Sequence, residues 1–236
     1  ALRLAAELLA SDDPLLRASA VRALEILQPQ QRHALLAPLI DDPVSGVRLE
    51  VAEGLADVPL GEVTAGQREA LLRLFDEYRA IHRDHADMPG MNLELGLFHL
   101  RRGDYPAAES AYRESLALNP QLLPARLNLA DLLRGAGRDE EARGELEAAL
   151  AVHPDSGDAM HALGLLEARA GNRAAALEWL GGAAGVERSG SRHRFVYAVA
   201  QHDFGDMQGA LTTLRALHRD LPADEQALLA LVNYSA

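Results

Sequence analysis

The chain has no cysteine. That rules out disulfides, thiol nucleophiles, zinc–thiolate sites and Cys-x-x-Cys-His haem attachment within it. It has no lysine either: all 23 basic side chains are arginine, set against 35 carboxylates, for a formal net charge of −12. A nucleic-acid binder carries a basic patch, and an anionic membrane surface asks for the same, so neither partner is expected. Aromatic residues make up only 4% of the chain, with one tryptophan, Trp179. No apolar run approaches the roughly 18 residues that a membrane span needs, and no secretory signal stands at the start. The chain opens at Ala1 rather than Met, which suits a processed product or a piece of a longer protein. Hydrophobic residues are 48% of the total, ample for a core.

What the chain does have is a period. Gly103, Gly137, Gly171 and Gly205 follow one another at intervals of 34 residues. Ala108, Ala142, Ala176 and Ala210 keep the interval, as do the large apolar residues Tyr112, Leu146, Leu180 and Leu214. Pro120, Pro154 and Pro222 close three of the four stretches. A fixed period of this length is the signature of a stacked helical repeat. Each column has a physical reason. The glycine ends a first helix in a left-handed conformation that a side chain would strain. The alanine lets the second helix approach the first. The large residue fills the space between units, and the proline, lacking an N–H, stops the second helix. One unit cannot bury its apolar face alone, so neighbours stack. Second helices are predicted to start one or two residues after each glycine, with the four alanines buried.

Leu95-Gly96, Leu129-Ala130, Leu163-Gly164 and Tyr197-Ala198 occupy one place in the four first helices. With these pairs the stretch resembles the tetratricopeptide repeat. The units are 89–122, 123–156, 157–190 and 191–224, followed by a last helix at 225–234, all within a domain 89–236. The resemblance implies an all-α, right-handed helical-repeat superhelix, an α-solenoid.

Residues 1–63 show another period. Asp12-Asp13-Pro14 precedes Arg17, Ala20, Val21 and Leu24; Asp41-Asp42-Pro43 precedes Arg48, Val51, Ala52 and Leu55. Asp then Pro is an N-cap followed by an early-helix proline. This layout resembles HEAT repeats, and implies first helices near 2–10 and 29–40. Asp13 with Arg17 and Asp42 with Arg48 are expected to tie one turn to the next. Residues 64–88 read as a bridge: Thr64 and Gln67 form a capping box, and Leu71, Leu72, Phe75, Tyr78 and Ile81 give one apolar face of a helix at about 65–86. His82, His85 and Asp87 at its end form a partial metal-ligand set. A solvated helix end, where histidine suits the C-terminal dipole, explains them better.

The third unit departs from the pattern. Arg188 stands where proline is expected, and Gly181, Gly182 and Gly185 interrupt its second helix before Ser189-Gly190-Ser191. Glycine weakens a helix, so a soft point is expected there. Trp179 is expected to be partly buried between helices.

Tetratricopeptide stacks hold peptides along the concave face of their first helices. The resemblance therefore implies groove positions Leu93, Leu97 and Arg101; Leu127, Asn128, Asp131 and Arg134; His161, Leu165 and Arg169; and Arg192, Phe195, Val199 and His202. Phe195, beside Arg192 and Arg194, is the expected aromatic anchor for a ligand with some negative charge. The carboxylate clamp of chaperone-tail binders is absent, since Leu93, Leu97, Asp158 and Ala162 occupy its places and only Asn128 fits. The asparagine ladder of sugar-transferase superhelices is also missing: that column reads Glu94, Asn128, Ala162, Val196.

The expected function is a non-catalytic protein–protein interaction scaffold, with a peptide or protein segment in this groove, no cofactor, no nucleic acid and no membrane. The chain's own flanking segments are the rival occupant. Glu140-Glu141 sits at a helix start, where the dipole explains acidic residues. No Ser/His/Asp order, phosphate loop or metal set is present. The layout also resembles the C-terminal region of some bacterial multihaem c-type cytochrome proteins. That would imply an accessory segment of a periplasmic redox protein with its haem domain outside this chain; otherwise the cytoplasm is expected.

Overall fold

A computed structural model describes residues 2–186 and 190–235. The described residues form helices and a single 3-10 turn, with no strand among them. They divide into two compact units, 1–120 and 121–236.

The first unit contains α1 (Leu2–Leu8), α2 (Pro14–Ala23), α3 (Pro29–Leu36), a 3-10 turn (Ala37–Leu39), α4 (Ser45–Gly54), α5 (Ala65–Asp84), α6 (Pro89–Arg101) and α7 (Tyr105–Leu118). Pro14, Pro29 and Pro89 stand at first helical positions, where the missing N–H costs nothing. Asp13 caps α2 by accepting the Leu15 N–H at 2.8 Å. The second Asp-Pro pair behaves differently. α4 begins only at Ser45, and Asp42 instead accepts the Val44 N–H at 2.9 Å while its carboxylate turns to Arg17. The helix expected at 29–40 breaks at Leu36 into the 3-10 turn holding Pro38.

The expected pairs of Asp13 with Arg17 and Asp42 with Arg48 are replaced by longer ties. Arg17 passes Asp13 and forks onto Asp42, at 2.8 and 2.9 Å. Burial pushes the Asp42 carboxyl up, and the Arg17 guanidinium with the Val44 N–H overcomes this and holds it below the ordinary carboxylate range. Arg48 forks in turn onto Glu77 of α5 and donates to the Asp42 carbonyl at 2.6 Å. The arginines thus link successive turns, as expected, but to partners one turn further on.

The capping box at α5 is complete: Thr64 Oγ1 accepts the Gln67 N–H, and Gln67 Oε1 accepts the Thr64 N–H. α5 buries Leu71, Leu74, Phe75 and Tyr78, whereas Leu72, placed on the apolar face from spacing, is 42% exposed. One core joins Val51 of α4 and Leu55 just after it, this face of α5, and Leu95 and Phe98 of α6. The Phe98 ring stacks on Tyr78 at 4.6 Å and meets Phe75 edge-on at 5.4 Å.

The second unit contains α8 (Leu123–Gly135), α9 (Asp139–Val152), α10 (Gly157–Arg169), α11 (Arg173–Gly185), α12 (Ser191–Asp203), α13 (Met207–Asp220) and α14 (Glu225–Ser235). The 34-residue register holds in both units. Tyr105, Asp139, Arg173 and Met207 open the second helices, each two residues after its glycine. Those four glycines are the ones with positive φ, +73° to +97°. The N–H after each reaches back to the first helix, as in Asp104 to His99 and Arg138 to Leu133, both at 2.9 Å. Ala108, Ala142, Ala176 and Ala210 are wholly buried.

The third unit keeps a continuous second helix through Gly181 and Gly182. A Cβ at Gly181 would lie 3.3 Å from the Tyr197 ring, and one at Gly182 would lie 3.1 Å from Met160 Sδ. These glycines therefore admit close neighbours on α12 and α10, and the expected interruption does not occur there. Arg188 and Ser189 lie outside the described residues. Trp179 is half-buried, as expected.

Candidate functional site

The proposed groove residues fall on α6 in the first unit and on α8, α10 and α12 in the second. On α6, Leu93, Leu97 and Arg101 are spaced four apart and share a face. Leu97 is 38% exposed. It lines a pocket of about 130 Å³ with Glu53, Glu94, Phe98 and Arg101. Arg101 is already engaged, donating to Glu25 Oε1 at 3.1 Å and to the Glu53 carbonyl at 3.2 Å.

In the second unit, Leu127, Asn128 and Val199 are half-buried, and Leu165 is 36% exposed. Most of the polar candidates are held within the chain. Arg134 pairs with Asp131 one turn back, and Arg169 with Asp139. Arg194, read from sequence as a flanking groove cation, instead pairs with Asp220 of α13 at 2.8 Å. Arg192 has no carboxylate partner among the described residues and is exposed. His161 is only 6% exposed, so it faces the interior between α10 and α12. Its ring lies 4.9 Å from that of His193, and its Nδ1 has no hydrogen-bond partner among the described residues. Burial, with His193 and Arg192 nearby, pushes its pKa down to about 4.

At the C-terminal end the chain's own last helix takes part of this face. Tyr234 of α14 stacks on His202 at 3.9 Å, and Phe195 packs, half-buried, against a core that includes Ala227 and Ala230. Phe195 is therefore supported by α14 and only partly open.

His82, His85 and Asp87 are not brought together. His85 and Asp87 are exposed, as a solvated helix end requires, but His82 turns inward and is 2% exposed. It stacks on Tyr78, with centroids 3.9 Å apart, and faces Glu94 at 3.2 Å. Glu53 stands beside them, accepting the Tyr78 hydroxyl at 2.7 Å. Burial pushes the Glu53 carboxyl up, against the pull of that hydrogen bond. The sequence carries no local signal for this group, because its members come from three helices.

The paired helices, the left-handed glycine after each first helix and the buried alanine column define a helical-repeat protein of the all-α class. Two family models, both described as tetratricopeptide repeat, match residues 68–122 and 99–166. Residues 68–166 thus carry tetratricopeptide repeats. No curated protein matches it. Among solved structures it is similar to a thermophilic TPR protein of Thermus thermophilus, 20% identical, covering 81% of this chain and 98% of that one at a TM-score of 0.58. It is similar to PilW, a widely conserved type IV pilus biogenesis factor: 19% identity, 94% and 100% coverage, TM-score 0.61. Yeast Tom70 aligns at 16% identity over 99% of this chain and 50% of that one, with a TM-score of 0.70. At these identities the likeness is one of fold.

Proposed function

We propose that the chain is a non-catalytic scaffold that holds an extended or helical segment of another protein on the first helices of its second unit. The observation that carries this reading is the apolar row on α8, α10 and α12. Leu127, Leu165 and Val199, with Phe195 beside them, remain partly open on successive first helices, and grouped exposed apolar side chains mark interaction sites. Arg192 is the cation left to meet an acidic group on the ligand, since the other groove arginines are paired. Recognition is then mainly apolar, through alternate side chains of the bound segment.

A displayed library of random peptides, selected against the full chain, tests this. Selected peptides should bind the wild type, and Leu165→Glu should weaken them by about 2 kcal/mol or more, as hot-spot changes do. Val152→Glu, at a 40% exposed position on the second helix α9, should leave binding intact. Circular dichroism confirms that both variants fold. Peptides that tolerate Leu165→Glu but are lost with Val152→Glu would move the site off the first helices.

A further inference from the structure

Glu53 of α4, His82 of α5 and Glu94 of α6 meet inside the first unit, with one ligand atom from each lying within 4.8 Å of the others. The geometry around His82 is specific. Its Nδ1 lies 2.8 Å from the Tyr78 carbonyl. A carbonyl only accepts, so Nδ1 carries the proton. The ring plane is fixed by stacking on Tyr78. Nε2 then faces Glu94 Oε2 at 3.2 Å. At that distance Nε2 meets the carboxylate either through a hydrogen bond or through a cation that takes its lone pair. The Tyr78 hydroxyl, bonded to Glu53 Oε1, orients the second carboxylate. Two of the three donors are thus steered by outer partners. Metal-binding histidines have this arrangement, donating the other ring N–H to a carbonyl.

The pocket of about 130 Å³ beside Glu53 and Glu94 gives access and room for a water. The nearby guanidinium of Arg101 is occupied by Glu25 and the Glu53 carbonyl, at the rim. Two carboxylates carry the charge that a divalent cation neutralises. An imidazole donor disfavours magnesium and calcium, which take oxygen ligands, and suits zinc and its neighbours.

We propose that Glu53, His82 and Glu94 bind one divalent cation of the zinc class. The ligands are His82 Nε2 and one oxygen of each carboxylate, with a water or a partner's side chain in the fourth position. The cation ties α4, α5 and α6 together. His85 and Asp87 take no part, and the proposal is independent of peptide binding in the second unit.

The test is calorimetric titration of ZnCl₂ into the full, chelator-treated chain near neutral pH. One saturable site and a higher melting temperature at small zinc excess are expected. Glu94→Gln alters a half-exposed carboxylate and should leave the fold intact by circular dichroism. It should weaken zinc by more than about 100-fold, since even outer-partner changes cost about 10–100-fold. His85→Ala should change nothing. Cobalt(II) should give visible ligand-field absorption in the wild type that Glu94→Gln abolishes. No saturable zinc binding below roughly 1 mM, binding that survives Glu94→Gln, or binding lost with His85→Ala would each overturn the proposal and leave His82 and Glu94 as a hydrogen-bonded pair.

Discussion

At Gly164 a Cβ would lie 2.5 Å from Leu180 Cγ and 3.1 Å from the Leu180 backbone nitrogen. Gly96 stands in the same way against Tyr112, whose ring would be 2.4 Å away. The two glycines occupy one repeat column, with Ala130 between them. The small residue there is a packing requirement of the first helix against the second. Gly144, inside α9, has open space around it. Gly164→Ala should therefore overpack and destabilise by about 1–3 kcal/mol, while Gly144→Ala should stabilise by about 0.5–1 kcal/mol through helix propensity. Urea midpoints at unchanged slope measure both, and shifts of the same sign would contradict the packing argument. The column was readable from sequence because the same contact recurs in every unit. The opposite character of two glycines in adjacent helices was not, since it depends on what faces each one.

Among the elements, the contact between α10 and α12 is distinctive for its histidine pair, one buried and one half-buried. His161 is held neutral, its pKa pushed down to about 4 from an ordinary 6.5. His193 lies against it, with Nε2 3.1 Å from Asp158 Oδ1. Below about pH 6.5 the unfolded chain binds a proton that the folded chain refuses until about pH 4, so stability is complete above this window and falls as pH drops through it. At about 1.4 kcal/mol per unit, the loss is on the order of 3–4 kcal/mol at most. His161→Leu should flatten the melting-temperature curve between these pH values relative to the wild type. Parallel curves would show that His161 does not couple to folding. The resemblance to tetratricopeptide repeats implies a groove position for His161 on a first helix. Only the packing of α12 reveals that it is enclosed. Gly181 and Gly182 of α11 follow the same logic: weak helix formers in isolation, they stand where Tyr197 and Met160 need the space.

For the whole molecule, two compact units and a stacked-repeat architecture argue against a single all-or-none transition. In such chains each repeat contacts its neighbours only, and cooperativity fades with distance. Trp179 lies in the second unit and is the sole tryptophan. Its fluorescence therefore reports that unit, while far-ultraviolet circular dichroism reports all the helices. In urea, the two signals should give different midpoints. Coincident transitions would show one cooperative unit from end to end. The charge pattern also belongs to this scale. With no lysine, the permanently charged side-chain cations are all guanidinium forks, and many of these are committed to carboxylates such as Asp42, Glu77 and Asp139.

The glycine, alanine and proline columns, the capping box at Thr64 and the all-α class could be read from residue order. Each arises from a constraint acting within one or two turns, and the repeat writes that constraint several times over. Side-chain partnerships between helices could not. Arg17 has Asp12 and Asp13 nearby in sequence, yet it reaches Asp42 because α2 and the turn before α4 are brought together. Glu53, His82 and Glu94 share no motif, and their order along the chain carries no period. They converge because the apolar faces of α4, α5 and α6 bury one another, and the polar groups at the edge of that contact must then find partners among themselves.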